Sequence, residues 1–334
     1  VVAVRAVAFA RYGSADVLEL RELAPPTAAA GEVLVRVAAA AANPGDVLFR
    51  SGRLRLVVRP ALPAVPGYDL AGVVEALGAG VTGLRVGDAV HGMLSTSRPG
   101  AAAELVSVPA DALAPVPPGT TLVEAAALPL AGLTALQGLR DRGRLAPGQR
   151  VLVVGASGGV GSLAVQVARV MGAHVTGVTS GRNAELVRAL GADAVLDHTR
   201  TDPTAAPAGG RGVGYDVVLD AVADRPPWRW RRVLRPGGRV VSLNPVYGNP
   251  VSAALVRAAT RTRVTGLLVR PSGTDLAQLD AWVAAGLVRP VVDSVLPLAR
   301  AAEAHRRLET RRTRGKIVLV VDDDLAHRRA DPAA

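Results

Sequence analysis

The chain has 334 residues, of which 49% are hydrophobic, 20% charged and only 3% aromatic. That is a length for about two domains, with cores that must be aliphatic and Ala-rich. It contains no cysteine, which excludes disulfides, thiolate zinc sites and cysteine nucleophiles together. The net charge of +11 rests on arginine, because Lys316 is the only lysine. This usage runs through the whole chain like a compositional bias. Two clusters, 225–235 with Trp228 and Trp230 among the arginines and 306–314, leave two readings open: stacking on single-stranded nucleic acid, or a solvated helix face with a core-facing tryptophan. The second is favoured, so nucleic acid is not an expected partner. Val1 to Ala10 alternates like a strand and lacks the apolar segment of a signal peptide. No window reaches a membrane-spanning apolar length. A soluble, cytoplasmic protein is the expectation.

In chain order, Val4 to Phe9, Leu18 to Leu23 and Glu32 to Ala38 read as strands. Ala71 to Glu75, Asp88 to Gly92 and Glu104 to Val108 follow as further short β segments. The only helical hint before residue 122 is a short turn at Asp46 to Arg50. Val116-Pro117-Pro118-Gly119 closes this β-rich part. Helical patterns at Leu122 to Leu128 and Thr134 to Leu139 then lead to Val151 to Val154, an apolar run of the kind buried on both faces of a parallel sheet. Strands at Val175 to Thr179, Ala194 to Leu196, Asp216 to Leu219, Val240 to Leu243 and Val264 to Leu268 continue the series, with a helix at Asn183 to Leu190. The alternation predicts a doubly wound parallel sheet. Beyond residue 270 come a helix (Asp275 to Ala285), a strand (Val291 to Ser294), a helix (Ala301 to Glu309) and a strand (Lys316 to Val321). The polar tail from Asp322 is expected to be loose.

The stretch that carries chemistry is Val151 to Gly161, Val-Leu-Val-Val-Gly-Ala-Ser-Gly-Gly-Val-Gly. Strand, tight glycine turn and helix in that order are the context in which a glycine fingerprint binds a dinucleotide. Glycines admit the pyrophosphate to the backbone, and the helix start offers it free N–H groups. Ala156 stands where the G-x-G-x-x-G template has its first glycine, ahead of Gly158 and Gly161. The turn residues Ala156, Ser157, Gly158, Gly159, Val160 and Gly161 are therefore candidate cofactor contacts.

Several segments, in this order, resemble the medium-chain dehydrogenase/reductases, and specifically their zinc-free quinone oxidoreductase branch related to zeta-crystallin. They are Asn43-Pro-Gly-Asp46, Pro66-Gly-Tyr-Asp-Leu-Ala-Gly72, Val86-Gly-Asp88, Ala131-Gly-Leu-Thr134, Gly155 to Gly161, Leu190-Gly-Ala-Asp193, Leu234-Arg-Pro-Gly-Gly238 and Arg314-Gly-Lys-Ile-Val318. The resemblance runs over nearly the whole chain. It implies an α/β architecture in which a Rossmann doubly wound parallel sheet is inserted in a GroES-like β-rich catalytic domain. The expected division is 1–121 for the N-terminal part of the catalytic domain, 122–268 for the Rossmann domain and 269–334 for the return. The zinc-dependent members carry Cys, Gly-His-Glu and Cys where this chain has Asn43, Gly67-Tyr68-Asp69 and a residue near Leu130. Those residues cannot hold a tetrahedral zinc ion, and no metal site is expected.

The cofactor preference is read from Thr179-Ser180-Gly181-Arg182-Asn183, where NAD-binding units usually place a carboxylate. None occurs until Glu185, and Arg182 offers a 2′-phosphate a charged fork unless it simply points into solvent. NADPH is the expected cofactor, with Ser180, Arg182 and Asn183 as contacts. By resemblance, His198 lines the adenosine end and Lys316 meets the pyrophosphate; Leu243 and Val269 complete the candidate set. Thr134 matches a residue that touches the nicotinamide side. Asn43 is a candidate donor to a substrate oxygen, and Asp46 a brace for its loop. Tyr68 is either a donor or a packed phenol. No general acid is evident, so quinones and α,β-unsaturated carbonyls, whose conjugation spreads the arriving charge, are the expected acceptors. Leu48 replaces a Tyr of the closest quinone reductases, which suggests a more apolar pocket. Two other classes stay open: a biosynthetic enoyl reductase acting on a polyketide-like intermediate, and a non-enzymatic crystallin-like or RNA-binding role. Relatives dimerise through the outer Rossmann strand, so a homodimer through Val264 to Leu268 is expected.

Overall fold

A computed structural model of the chain describes residues 3–55, 58–205, 214–244, 250–260 and 262–330. It divides into two compact units: Val1–Leu130, Arg270–Gly286 and Pro290–Ala334 form the first, Ala131–Val269 and Leu287–Arg289 the second. The sequence reading places the first division at 121/122. The short helix α2 (Leu122–Ala126) explains the difference, since its buried face packs into the core of the first unit with Ala38, Ala39 and Val318.

The first unit is built on a seven-stranded sheet in the order β14-β15-β3-β4-β5-β7, with β6 also paired to β3 and a separate β1–β2 pair. Its strands are β1 (Val4–Ala8), β2 (Glu19–Leu23), β3 (Glu32–Ala42), β4 (Asp69–Leu77), β5 (Ala89–Met93), β6 (Leu105–Pro109), β7 (Leu113–Pro115), β14 (Val292–Pro297) and β15 (Lys316–Val320). The long alternating run of β3 carries the register. Its last residues pair antiparallel with β15, Ile317 opposite Ala42 and Val320 opposite Ala39, so the two ends of the chain share one sheet. The alanines of β3 keep both faces thin. Val33, Val35 and Val37 enter one core and Ala39 and Ala41 another.

Two sequence readings in this unit are corrected. The expected turn at Asp46 to Arg50 is a helix, α1 (Pro44–Arg50), started by Asn43 with a proline in its first turn, a position where proline's missing N–H costs nothing. The tail from Asp322 is held in place as far as Ala330. Asp322 caps helix α9 (Asp323–Ala326) by accepting from Leu325 N at 3.1 Å, Leu325 and Ala326 are buried, and Ala330 N donates to Thr120 O at 3.0 Å. The acidic run reads as solvated, yet Asp at a helix start is a cap.

The second unit holds a six-stranded sheet in the order β10-β9-β8-β11-β12-β13, parallel at every pairing. Its strands are β8 (Arg150–Val154), β9 (His174–Thr179), β10 (Ala194–Asp197), β11 (Tyr215–Asp220), β12 (Leu234–Ser242) and β13 (Arg263–Gly266). The order runs outward in both directions from β8, which puts the reversal of winding beside its carboxyl end, where open α/β sheets bind ligands. Helix α4 (Gly159–Val170) follows β8, and α3 (Pro129–Gln137) precedes it. The sequence reading assigned nothing between the fifth and sixth strands; helix α6 (Pro250–Thr260) lies there. Among the described residues no helix is long and apolar enough to cross a membrane.

Candidate functional site

In the second unit, most of the sequence-predicted cofactor residues follow the carboxyl ends of neighbouring parallel strands: Ala156 to Gly161 after β8, Ser180 to Asn183 after β9, His198 after β10, Leu243 after β12, and Val269 beyond β13. One edge of one sheet thus collects residues that span more than a hundred positions of sequence. The turn itself departs from the template in an instructive way. Gly155 takes the left-handed conformation, φ +77°, one residue earlier than the template's first glycine. Ala156 is then free to carry a methyl group, and it is buried. Gly177 makes room for it, since a Cβ there would stand 3.0 Å from the Ala156 Cβ and 2.4 Å from Val187. Gly161 has to be glycine because a Cβ would lie 2.0 Å from the Gly155 carbonyl oxygen. Gly158 starts α4 and has only that oxygen near its Cβ direction, at 3.4 Å.

Ser157 and Asn183 bond each other. The Ser157 hydroxyl oxygen accepts from Thr179 Oγ1 at 2.8 Å and from Asn183 Nδ2 at 3.0 Å. This buried network ties the turn to the end of β9. It leaves Asn183 Oδ1 buried and without a partner among the described residues, an acceptor still waiting for a donor. Arg182 is exposed in the single turn Gly181–Asn183, and His198 is exposed with its N–H given to Thr179 O at 3.0 Å. Sequence reasoning missed Asp197. The parallel register sets it opposite Thr179, and a Cβ on Gly181 would meet its Oδ2 at 2.6 Å. The Thr199 side-chain and backbone donors hold this carboxyl below its ordinary range, so it stays ionised. A search for an acidic residue along β9 overlooks one delivered by the next strand. Thr134 lies buried in α3. Trp230 is buried with Nε1 donating to Asp220 at 3.1 Å, whereas Trp228 is 46% exposed.

The first unit brings Asn43, Asp46, Tyr68 and Lys316 together. Asp46 is bonded to two backbone N–H groups: Oδ2 accepts from Asn43 N at 2.7 Å and Oδ1 from Gly67 N at 2.9 Å. Burial pushes its carboxyl up to about 7 against these two N–H donors. Asp69, adjacent to Tyr68, accepts from Leu130 N at 2.6 Å on Oδ1 and from Asn43 Nδ2 at 3.0 Å and Lys316 Nζ at 2.7 Å on Oδ2. Asn43 Nδ2 also donates to Ala41 O at 2.9 Å, and Asn43 Oδ1 accepts from Lys316 Nζ. Both amide protons of Asn43 are therefore spent, which corrects its reading as a donor to a substrate oxygen. Lys316, 4% exposed, is engaged with Asp69 and Asn43, where the pyrophosphate had been expected. Tyr68 is buried, and burial raises its phenol, with the Asp46 charge adding to the effect. The phenol is thus neutral at ordinary pH.

A zinc ion does not suit these donors. Asn43 turns its amide oxygen to the Lys316 ammonium, Tyr68 stays protonated, and Asp69 already holds that ammonium where a divalent ion would need the carboxylate. Among the described residues no group of three or more His, Asp or Glu could hold a metal.

Known proteins agree with this architecture. A family model described as an alcohol dehydrogenase GroES-like domain matches residues 29–118, and one described as a zinc-binding dehydrogenase matches residues 190–319. The chain is 36% identical to the 2-methylene-furan-3-one reductase of Solanum lycopersicum, over 94% of this chain and 78% of that protein. It is equally 36% identical to the chloroplastic NADPH-dependent alkenal/one oxidoreductase of Arabidopsis thaliana, over 94% and 79%. The structure of the quinone oxidoreductase from Coxiella burnetii superposes with a TM-score of 0.85 at 30% identity, covering 96% of this chain and all of that one. With the glycine turn at the carboxyl edge of its parallel sheet and a β-rich unit closed by both chain ends, the chain belongs to the medium-chain dehydrogenase/reductase superfamily, in its quinone oxidoreductase branch, and is an oxidoreductase.

Proposed function

We propose that the chain is an NADPH-dependent, zinc-independent reductase that transfers hydride to a quinone or an α,β-unsaturated carbonyl. The observation that carries this reading is the turn after β8, whose glycines leave the backbone open ahead of the first N–H groups of α4. The nicotinamide nucleotide, when bound, supplies the hydride. Gly158 and Gly159 give the pyrophosphate its approach, and the Ser157–Thr179–Asn183 network fixes the turn's shape. Arg182 offers a 2′-phosphate a charged donor, and it makes no ion pair with a described residue. Asp197 works against it, which lowers the expected preference from strong to moderate. The relatives' names favour conjugated carbonyls and quinones as acceptors. Such acceptors fit a site with no Lewis acid, since conjugation carries the arriving charge to oxygen, where a donor such as the neutral Tyr68 phenol or water meets it. Asp46 is tied to two backbone N–H groups and acts as a brace.

Among the described residues the outer strand β13 has one unpaired edge, with Leu268 exposed just beyond it and Val251 and Leu255 exposed on α6; we propose it as the face of a homodimer. The test is NADPH oxidation followed by absorbance with quinones, enals, enones and simple aldehydes. Turnover is expected with conjugated acceptors, unaffected by chelators. Turnover only with simple aldehydes, or its loss on chelation, would sink the reading.

A further inference from the structure

The chain has 39 lysines and arginines, and a single lysine among them. In a sequence that writes arginine for every other cation, that lysine is 4% exposed. It opens β15 and touches acceptors from two other segments: Asn43 Oδ1 at the start of α1, and Asp69 Oδ2 at the start of β4, 2.7 Å away. A compact ammonium directs its protons to acceptors in different directions, which a planar guanidinium fork does poorly in a confined space. The remaining valences are taken as well. Asn43 reaches Ala41 and Asp69, Asp69 reaches Leu130 N, and Asp46 reaches Asn43 N and Gly67 N. Four chain segments therefore meet in one buried network. Tyr68, the donor proposed above for the substrate oxygen, directly precedes Asp69 in this network.

We propose that Lys316 is a positioning residue of the reductase: its ammonium is the internal cation that fixes the Asn43 amide and the Tyr68–Asp69 backbone in the arrangement the substrate meets. This rests on the proposed reductase activity for its functional half, while the bridge itself does not. Removing one partner of a buried ion pair strands the other charge, so Lys316→Met is paired with Lys316→Met/Asp69→Asn, which removes both charges together. Lys316→Arg tests shape at constant charge.

Because the chain has one lysine, protein grown with ε-15N-lysine gives one side-chain nitrogen signal. The expected result is a slowly exchanging ammonium at neutral pH whose shift moves in Asp69→Asn. A fast-exchanging signal that ignores Asp69→Asn would overturn the bridge, whatever the activity assays show. In kinetics, the double variant is expected to keep the wild-type NADPH Kd and a Tm within a few degrees, yet to lose tenfold or more in kcat/KM for the acceptor, with Lys316→Arg recovering only part. Wild-type kcat/KM in a folded double variant would reduce Lys316 to a purely structural element and refute the proposal. A wild-type protein that binds NADPH but reduces no conjugated acceptor would refute the reductase reading instead, leaving the nitrogen signal to decide the bridge. Should the double variant not fold, Lys316→Arg decides the functional half by the same kcat/KM comparison.

Discussion

The two glycines of the turn that look interchangeable in sequence are expected to behave differently when each is given a methyl group. In Gly161→Ala the new Cβ stands 2.0 Å from the Gly155 carbonyl oxygen, 2.6 Å from its carbon and 2.8 Å from Ala156 Cα. All three are backbone atoms, so the turn or the helix must move. Overpacking of this kind costs about 1–3 kcal/mol, or roughly 2–12 °C in Tm at about 2–4 °C per kcal/mol for a unit of this size. In Gly158→Ala the nearest atom is the Gly155 oxygen at 3.4 Å, and the backbone, φ −83° and ψ 179°, suits any residue. Lower entropy of the unfolded chain gains about 0.4–1 kcal/mol, while alanine is the poorer helix cap by a similar amount, so Tm should hardly change. The methyl group projects into the opening where the pyrophosphate would approach, and NADPH affinity should fall tenfold or more. Differential scanning fluorimetry and NADPH titration separate the two effects. The reasoning is refuted if Gly158→Ala binds NADPH like the wild type, or if Gly161→Ala melts at the wild-type temperature.

Arg182→Ala should weaken NADPH about tenfold, the low end for a charge-assisted hydrogen bond, and leave NADH unchanged. Asp197→Asn should sharpen the preference for NADPH, and equal Kd ratios in all three proteins would discard the assignment. Two buried groups set opposing pH dependences of stability. The Asp46 carboxyl, raised by burial from 3.8 to about 7, binds its proton more tightly when folded, so it costs stability as pH rises through that window and the cost is complete above about 7. His305, lowered by burial and then by the Arg50 charge from 6.5 to about 3, binds its proton less tightly when folded. It therefore costs stability as pH falls from about 6.5 towards 3. Between pH 4 and 6.5 the two slopes, each about 1.4 kcal/mol per pH unit at most, oppose each other. Urea unfolding of Asp46→Asn should show stability rising with pH across this range, and His305→Gln should show it falling; parallel curves for both variants would contradict the assignment.

The parallel sheet was legible because its signal is local. Val151 to Val154 is apolar on both faces, the glycine turn follows directly, and the helix begins within the same dozen residues. The buried polar wall was not legible, because its members lie 273 and 247 positions apart for Lys316 with Asn43 and Asp69. The pairing of β3 with β15 on one side and with β4 on the other brings them together. Residue type alone made Asn43 look like a free donor, and only the count of its hydrogen bonds shows that it has none to give. Asp197 was hidden for the same reason, since it enters through strand register. The acidic run at Asp322 to Asp324 shows that polarity marks a helix start as readily as a loose end.

Everything functional here depends on a dinucleotide lying across the turn ahead of α4, and a crystal of the full chain grown with NADPH examines that directly. Pyrophosphate density is expected against Gly158 and Gly159, with the 2′-phosphate beside Arg182. An occupied nucleotide elsewhere on the protein, or a turn that stays empty at saturating NADPH, would contradict it.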